Sequence, residues 1–286
     1  MTDSTGEIVD YYTARFREDT RLQARPQGRL EQLRTIELLT ELLPEPPARV
    51  LDVGGGPGVY ARVLASAGYQ VRLVDLVPSH VAQALAGDPA VDAVVADARA
   101  LPEPDGGYDA TLVLGPLYHL LERGDRVQAI REAIRVTRPG GRVVVAAISR
   151  FAGPLDFAAT GRLRGELIDE ARALLTDGVN DARIGFTRAY FHRLPELVDE
   201  CRTAGLAELV VHGVEGPAWT AAEAAAGGPL ADAVFSGALE LARLFSSEPT
   251  LVAASSHLLA TGLVRRRAAN DLGEQQPWKQ RSGERI

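Results

Sequence analysis

Four glycines fall within five positions, Gly54-Gly55-Gly56-Pro57-Gly58, directly after the apolar run Val50-Leu51-Asp52-Val53. A short apolar run closed by such a loop reads as a buried strand, and glycines take away the side chains that would hold a ligand off the backbone. A plain tight turn does not require four of them. Helical spacing follows over about Val59 to Ala67 and stops at Gly68. Strand, glycine loop and helix therefore seed an α/β fold whose ligand rests where the strand meets the loop.

The unit then repeats. Gln70 to Val74 is a second strand, ending at Asp75, and Pro78 suits the first turn of a helix running to about Ala86. Val91 to Val95 is a third strand, ending near Asp97, and Tyr108 to Leu114 a fourth, followed by Gly115-Pro116. A helix over Asp125 to Val136 leads through the turn Pro139-Gly140-Gly141 into a fifth strand, Arg142 to Ile148. This alternation predicts a doubly wound, Rossmann-like sheet, mostly parallel, with helices on both faces. Ligands in such sheets bind beyond the carboxyl ends of the strands. Asp52, Asp75, Asp97 and Gly115 all sit at those ends, on one rim.

Outside this core the pattern divides the chain further. Residues 1–28 form an N-terminal lid segment, and the core, residues 29–150, opens on a helix from Arg29 that Pro44, Pro46 and Pro47 end. Residues 151–193 form a cap insertion with a helix over about Arg162 to Leu175. Residues 194–267 return to the core with a helix (Leu194 to Ala204) and two strands (Leu206 to Val214, Leu258 to Val264), interrupted by a helical insertion at 215–250. Residues 268–286 are polar and predict a disordered tail.

A net charge of −7 argues against a nucleic-acid partner, which needs a basic surplus to displace counterions. The basic run Arg265-Arg266-Arg267 reads as a solvated strand edge. The single cysteine, Cys201, lies on an apolar helix face and excludes an intrachain disulfide, which fits a reducing cytosol. No signal pattern opens the chain, and no apolar run approaches the roughly 18 to 20 residues of a membrane span. The expectation is a cytoplasmic protein without membrane contact, monomer or homodimer. No pair of His, Cys, Asp or Glu shows metal-ligand spacing, so no metal is expected. His80, His212 and His257 read as structural.

The rim acids point to an adenosine ligand. Asp75, about 20 residues past the loop start, can accept both ribose hydroxyls. Asp97 can take a hydrogen bond from an adenine amine, or can simply form a turn before Leu101-Pro102. The dinucleotide pattern G-x-G-x-x-G fails from Gly54, because Val59 stands where glycine is needed. It holds weakly as Gly56-Pro57-Gly58-Val59-Tyr60-Ala61, several residues later than usual. On the residues alone, NAD and S-adenosylmethionine (SAM) both remain open.

The whole order resembles the class I SAM-dependent methyltransferases of small-molecule type. The resemblance rests on Val50 to Gly58, Leu73-Val74-Asp75, Ala96-Asp97-Ala98, Tyr108 to Gly115, and Arg138-Pro139-Gly140-Gly141-Arg142, covering about residues 30–150. It implies a sheet whose last strand is antiparallel, with SAM as cofactor. It places the methionine part of SAM on Gly54, Gly56 and Gly58 beside Asp52, ribose on Asp75 with Leu76, and adenine on Asp97 with Ala98. Gly115 and Tyr12 would flank the cofactor. The fourth-strand exit, Gly115-Pro116-Leu117-Tyr118-His119-Leu120, lacks the Asn/Asp-Pro-Pro-aromatic motif of adenine- and glutamine-modifying relatives, which puts that chemistry in doubt.

Three residues are catalytic candidates: Tyr118, His119 and His192. His119 can serve as a base with a pKa near neutrality, or face solvent at a helix start; the two readings weigh equally. His192 follows Tyr190-Phe191, whose simpler role is lid packing. Phe151, Phe157, Phe186, Phe191, Trp219 and Phe235 in the insertions imply an apolar chamber, hence a small hydrophobic or aromatic methyl acceptor. The alternatives are an NAD-dependent oxidoreductase and a SAM-binding protein without methyl transfer.

Overall fold

The computed structural model describes residues 6, 9, 11–12, 18–182 and 186–265. Part of the expected lid segment and all of the expected tail lie outside the described residues.

Seven strands among the described residues form the main sheet, in the order β3-β2-β1-β4-β5-β9-β8. The strands are β1 (Arg49–Val53), β2 (Gln70–Asp75), β3 (Asp92–Val95), β4 (Tyr108–Val113), β5 (Thr137–Ile148), β8 (Ala207–Gly213) and β9 (His257–Leu263). β1 pairs in parallel with both β2 and β4, in the registers Val50↔Val71 and Val50↔Ala110. β9 runs antiparallel between β5 and β8, pairing Val145↔Ala260 and Val211↔Ala260. The Rossmann-like fold with its antiparallel closing strand is the one expected.

The side-chain alternation of the strands builds two cores. Leu51, Val53, Val143, Val145 and Ala147 face the helices Arg123–Val136 and Leu194–Ala204, packing with Ile130, Leu197 and Cys201. Val50, Leu112, Val144 and Ala146 face the helix Pro26–Leu42, packing with Leu38 and Leu39. Burial on both faces is why these strands are nearly continuous apolar runs.

Several boundaries differ from expectation. The first core helix begins at Pro26, not Arg29, because proline is accommodated where a helix has no N–H partner to lose. Pro139-Gly140-Gly141 lies inside β5 as an irregularity: the pairing jumps from Tyr108↔Thr137 to Ala110↔Arg142. In the cap, the expected helix spans Glu166–Asp177, and a further helix, Ala152–Ala159, precedes it. Gly153 and Pro154 fall in its first turn, where they are tolerated. A short antiparallel pair, β6 (Val179–Asn180) with β7 (Ala189–Tyr190), completes the cap. The helices Trp219–Ala224 and Ala231–Leu244 lie between β8 and β9.

Candidate active site

A cleft of about 1350 Å³, including its open mouth, runs along the carboxyl edge of the sheet. Its wall follows the strand order. Asp97, Ala98 and Arg99 come after β3, Asp75 to Val77 from β2, Asp52 to Pro57 from β1, Leu114 to Pro116 from β4, Ala146 from β5, and His257 and Leu259 from β9.

The glycine loop is pressed between neighbours. Gly54 has φ +71°, and a Cβ there would lie 2.4 Å from Cδ of Pro116, so no side chain fits. A Cβ on Gly55 would lie 2.5 Å from Oδ2 of Asp52. The Asp52 carboxylate therefore sits directly beneath the loop. It is buried, and neither oxygen meets a hydrogen-bond partner among the described residues. Burial, and then the charge of Asp75, raise its pKa to about 7.

Asp75 organises the loop from the next strand. The Gly56 N–H donates to its Oδ2 at 2.8 Å and the Val77 N–H to its Oδ1 at 2.8 Å. Oδ1 is also met by Nδ1 of His80 at 3.3 Å, whereas Oδ2 keeps a second lone pair for a ligand. Asp97 lines the cleft but also forms the expected turn, accepting the Arg99 N–H at 2.8 Å and the Arg99 guanidinium at 2.6 Å. The hydrogen bonds of that guanidinium hold its carboxyl below the usual range.

Over the middle of the cleft stands an aromatic collar. The Tyr12 hydroxyl lies 3.0 Å from Nε2 of His119, and the Tyr12 ring is edge-on to both His119 and His80, at 5.5 and 5.3 Å. Tyr118 packs on His119 at 4.7 Å, and Phe186 lies 6.1 Å from each. His119 differs from both earlier readings: it neither faces solvent nor titrates near neutrality. It is buried, and burial lowers its pKa to about 4 against a weaker opposing pull from Asp75.

Of the expected site residues, Tyr12, Asp52, Gly54, Gly56, Asp75, Leu76, Asp97, Ala98, Gly115, Tyr118 and His119 line the cleft. Two expectations are corrected. Gly58 is absent from the wall; with φ +86° it starts the helix Val59–Ser66, turned toward Arg62 and Ala84. His192 is also absent from the wall. It is fully buried, with Nε2 3.1 Å from Glu200, and burial holds its pKa below the usual value. It is a packing residue. Conversely, His80 and His257, expected to be structural, are on the wall, as are Gly55 of the glycine loop and Glu31, Thr35 and Tyr60, which the sequence did not assign to the site. Glu31, Glu215 and His257 bring their polar atoms within 4.8 Å of one another, a grouping of three residues hidden by their separation in the chain.

Residues 50–141 match the Methyltransferase domain family. Among similar proteins is a demethylmenaquinone methyltransferase of Beutenbergia cavernae, 38% identical over 104 residues, 36% of this chain and 42% of that enzyme. The matched stretch thus spans about two fifths of that relative's length. Among solved structures, a SAM-dependent methyltransferase of Thermotoga maritima, described as a possible histamine N-methyltransferase, superposes with TM-score 0.59 at 16% identity. It covers 91% of this chain and all of that one (100%). Phosphoethanolamine N-methyltransferase 2 of Haemonchus contortus, in complex with SAM, gives TM-score 0.56 at 16% identity, covering 93% and 61%. Residues 50–141 are thus similar to a methyltransferase domain, on a fold shared with solved SAM-dependent methyltransferases.

Proposed function

We propose that the protein transfers the methyl group of SAM to a small, largely apolar or aromatic acceptor. The observation that carries the reading is a single cleft joining an unpartnered buried carboxylate under a glycine cradle to an aromatic collar. A buried anion without a partner costs several kcal/mol on the order of magnitude, and a cationic ligand group removes that cost. Asp52 thus suits the ammonium of the methionine part, beside Gly54, Gly55 and Gly56 on the cleft wall. Asp75 has a lone pair on Oδ2 for the ribose hydroxyls, and Leu76, Asp97 and Ala98 flank the place for adenine.

SAM supplies an electrophilic methyl group, so the protein's task is chiefly alignment and exclusion of water. Tyr12, Tyr118 and His119 close over the centre of the cleft, where strand β4 ends. A neutral His119 with a pKa of about 4 is a weak base. Its role in this reading is to hold the nucleophile by a hydrogen bond, not to carry a proton away. Relatives named for demethylmenaquinone and histamine support an acceptor of small-molecule size.

The test is transfer of labelled methyl from SAM into a small-molecule extract, with the product identified by mass spectrometry. SAM and S-adenosylhomocysteine should raise the unfolding temperature and NAD should not. Asp75→Ala and Gly56→Val should abolish SAM binding. Undiminished SAM affinity in both variants overturns the cofactor assignment. SAM binding without formation of S-adenosylhomocysteine overturns the transfer.

A further inference from the structure

The end of the cleft furthest from the adenosine side is closed by a buried charge cluster around one imidazole. Glu215 is fully buried and accepts the Ser255 hydroxyl at 2.8 Å, the His257 N–H at 2.8 Å and Nε2–H of Gln27 at 2.9 Å, as well as Nδ1–H of His257. Glu31 receives both prongs of Arg21 at 2.6 and 2.7 Å and lies 3.8 Å from Nδ1 of His257. Burial opposes a charge on the ring, but Glu31 and then Glu215 outweigh it and hold the pKa at about 9. The ring is a cation at neutral pH, with Nδ1–H spent on the carboxylates. The ring's bonds among the described residues run from Nδ1 to Glu215 and toward Glu31, which leaves Nε2–H for a ligand, and the residue lines the cleft.

The apolar side chains of Leu22, Ala146, Val214 and Leu259 share the cleft wall with His257, alongside Arg21, Glu31, Thr35 and Tyr60. Strand order fixes the distance from the chemistry. From β4, whose end carries Gly115 and the collar, to β9, which carries His257, is two strand spacings, roughly 10 Å. A group held by His257 is therefore far from the atom that receives the methyl. Charge selects its character. Arg21 and His257 are balanced by Glu31 and Glu215, so a buried anion added there would be uncompensated, whereas a dipolar oxygen would not be. The same balance disfavours a metal ion: protons and guanidinium already occupy the positions a cation would take.

We infer that His257 is a specificity-determining residue whose Nε2–H donates to an uncharged, carbonyl-type oxygen on the end of the methyl acceptor remote from the reacting atom. The acceptor class is thus an apolar or planar body with a ketone, amide or quinone-like oxygen about two strand spacings from the methylated atom. This rests on the methyltransferase reading of the cleft.

The test measures binding of three probes to the full-length protein saturated with S-adenosylhomocysteine: 6-acetyl-2-naphthol, 6-ethyl-2-naphthol and 6-hydroxy-2-naphthoate. The acetyl probe should bind about tenfold tighter than the ethyl probe, the weight of one hydrogen bond from a charged donor. The naphthoate should bind no tighter than the ketone. In His257→Gln the acetyl advantage should shrink, and in His257→Leu it should vanish, with S-adenosylhomocysteine affinity unchanged. Equal binding of acetyl and ethyl probes by the wild-type protein overturns the inference, whether or not the variants fold. So does a naphthoate that binds tightest. A His257→Gln protein with unaltered circular dichroism that loses S-adenosylhomocysteine places the cofactor, not the acceptor, at this end, and also overturns it. Failure of the wild-type protein to bind S-adenosylhomocysteine at all is a failure of the underlying function and is read separately.

Discussion

At the scale of single residues, Asp52 carries the sharpest consequence. Its folded pKa of about 7 lies above the ordinary aspartate value, so the native state holds a proton there that the unfolded chain has lost. Between roughly pH 4 and 7 the native state binds more protons, so this group makes stability fall as pH rises, and its cost is complete above pH 7. Asp52→Asn should therefore raise the unfolding temperature of the ligand-free protein at pH 8, and by less at pH 5. The cofactor responds oppositely. Its ammonium needs the ionised carboxylate, so SAM affinity should weaken as pH falls below about 7, with proton release on binding visible by calorimetry in two buffers. Asp52→Asn should bind SAM at least about tenfold more weakly and lose that pH dependence. His119 titrates elsewhere: its folded pKa of about 4 lies below the ordinary value, so it contributes stability present above about pH 6.5 that is lost as pH falls toward 4. A pH profile of turnover in which His119→Gln removes an ionisation near neutrality would contradict the neutral, aligning role.

At the scale of elements, the loop after β1 and the exit of β4 behave as one piece, since Gly54 presses against Pro116 and a Cβ on Gly115 would sit 3.0 Å from the Gly54 carbonyl oxygen. Gly54→Ala would combine a left-handed φ with a clash on a proline ring and should cost about 2–4 kcal/mol, read from chemical denaturation, together with SAM binding. This junction was partly legible in the sequence. Gly54 to Gly56, Asp75 and Gly115 each follow or end a strand whose last residues are mostly apolar and buried, and strands buried on both faces leave that mark. Gly58 starts the helix Val59–Ser66 off the cleft wall, a placement hidden in sequence because a glycine that starts a helix and a glycine that admits a ligand look alike. The charge cluster was not legible at all. Glu31 belongs to a helix before the sheet, Glu215 to the exit of β8, and His257 to the strand that closes the sheet antiparallel, so only three-dimensional closure brings them together. His119 was visible as a residue, but its burial was not, because the Tyr12 and Phe186 that cover it come from distant segments.

At the scale of the whole molecule, cap and core meet at a buried ion pair. Arg126, on a core helix, donates to Glu200 at 2.7 Å and to the carbonyls of Leu120 and Leu121 at 2.9 and 2.7 Å. Glu200 also meets His192, and the Tyr190 ring covers Arg126 at 3.8 Å. One ion pair thus joins two core helices, and His192 and Tyr190, from the end of the 151–193 segment, pack onto it. Its net weight is small relative to an apolar substitute, but breaking it leaves a buried guanidinium without a counter-charge. Glu200→Ala should therefore lose about 3–5 kcal/mol of stability. The loss should reach turnover as well, because the carbonyls that Arg126 holds belong to Leu120 and Leu121, directly after Tyr118 and His119. His192→Gln should behave differently: it retains a donor toward Glu200 and has no face on the cleft, so methyl transfer should continue at the wild-type kcat with a lowered unfolding temperature. A His192→Gln protein that binds SAM normally and no longer turns over would return His192 to the chemistry and would require the cap to open far enough to carry it to the collar.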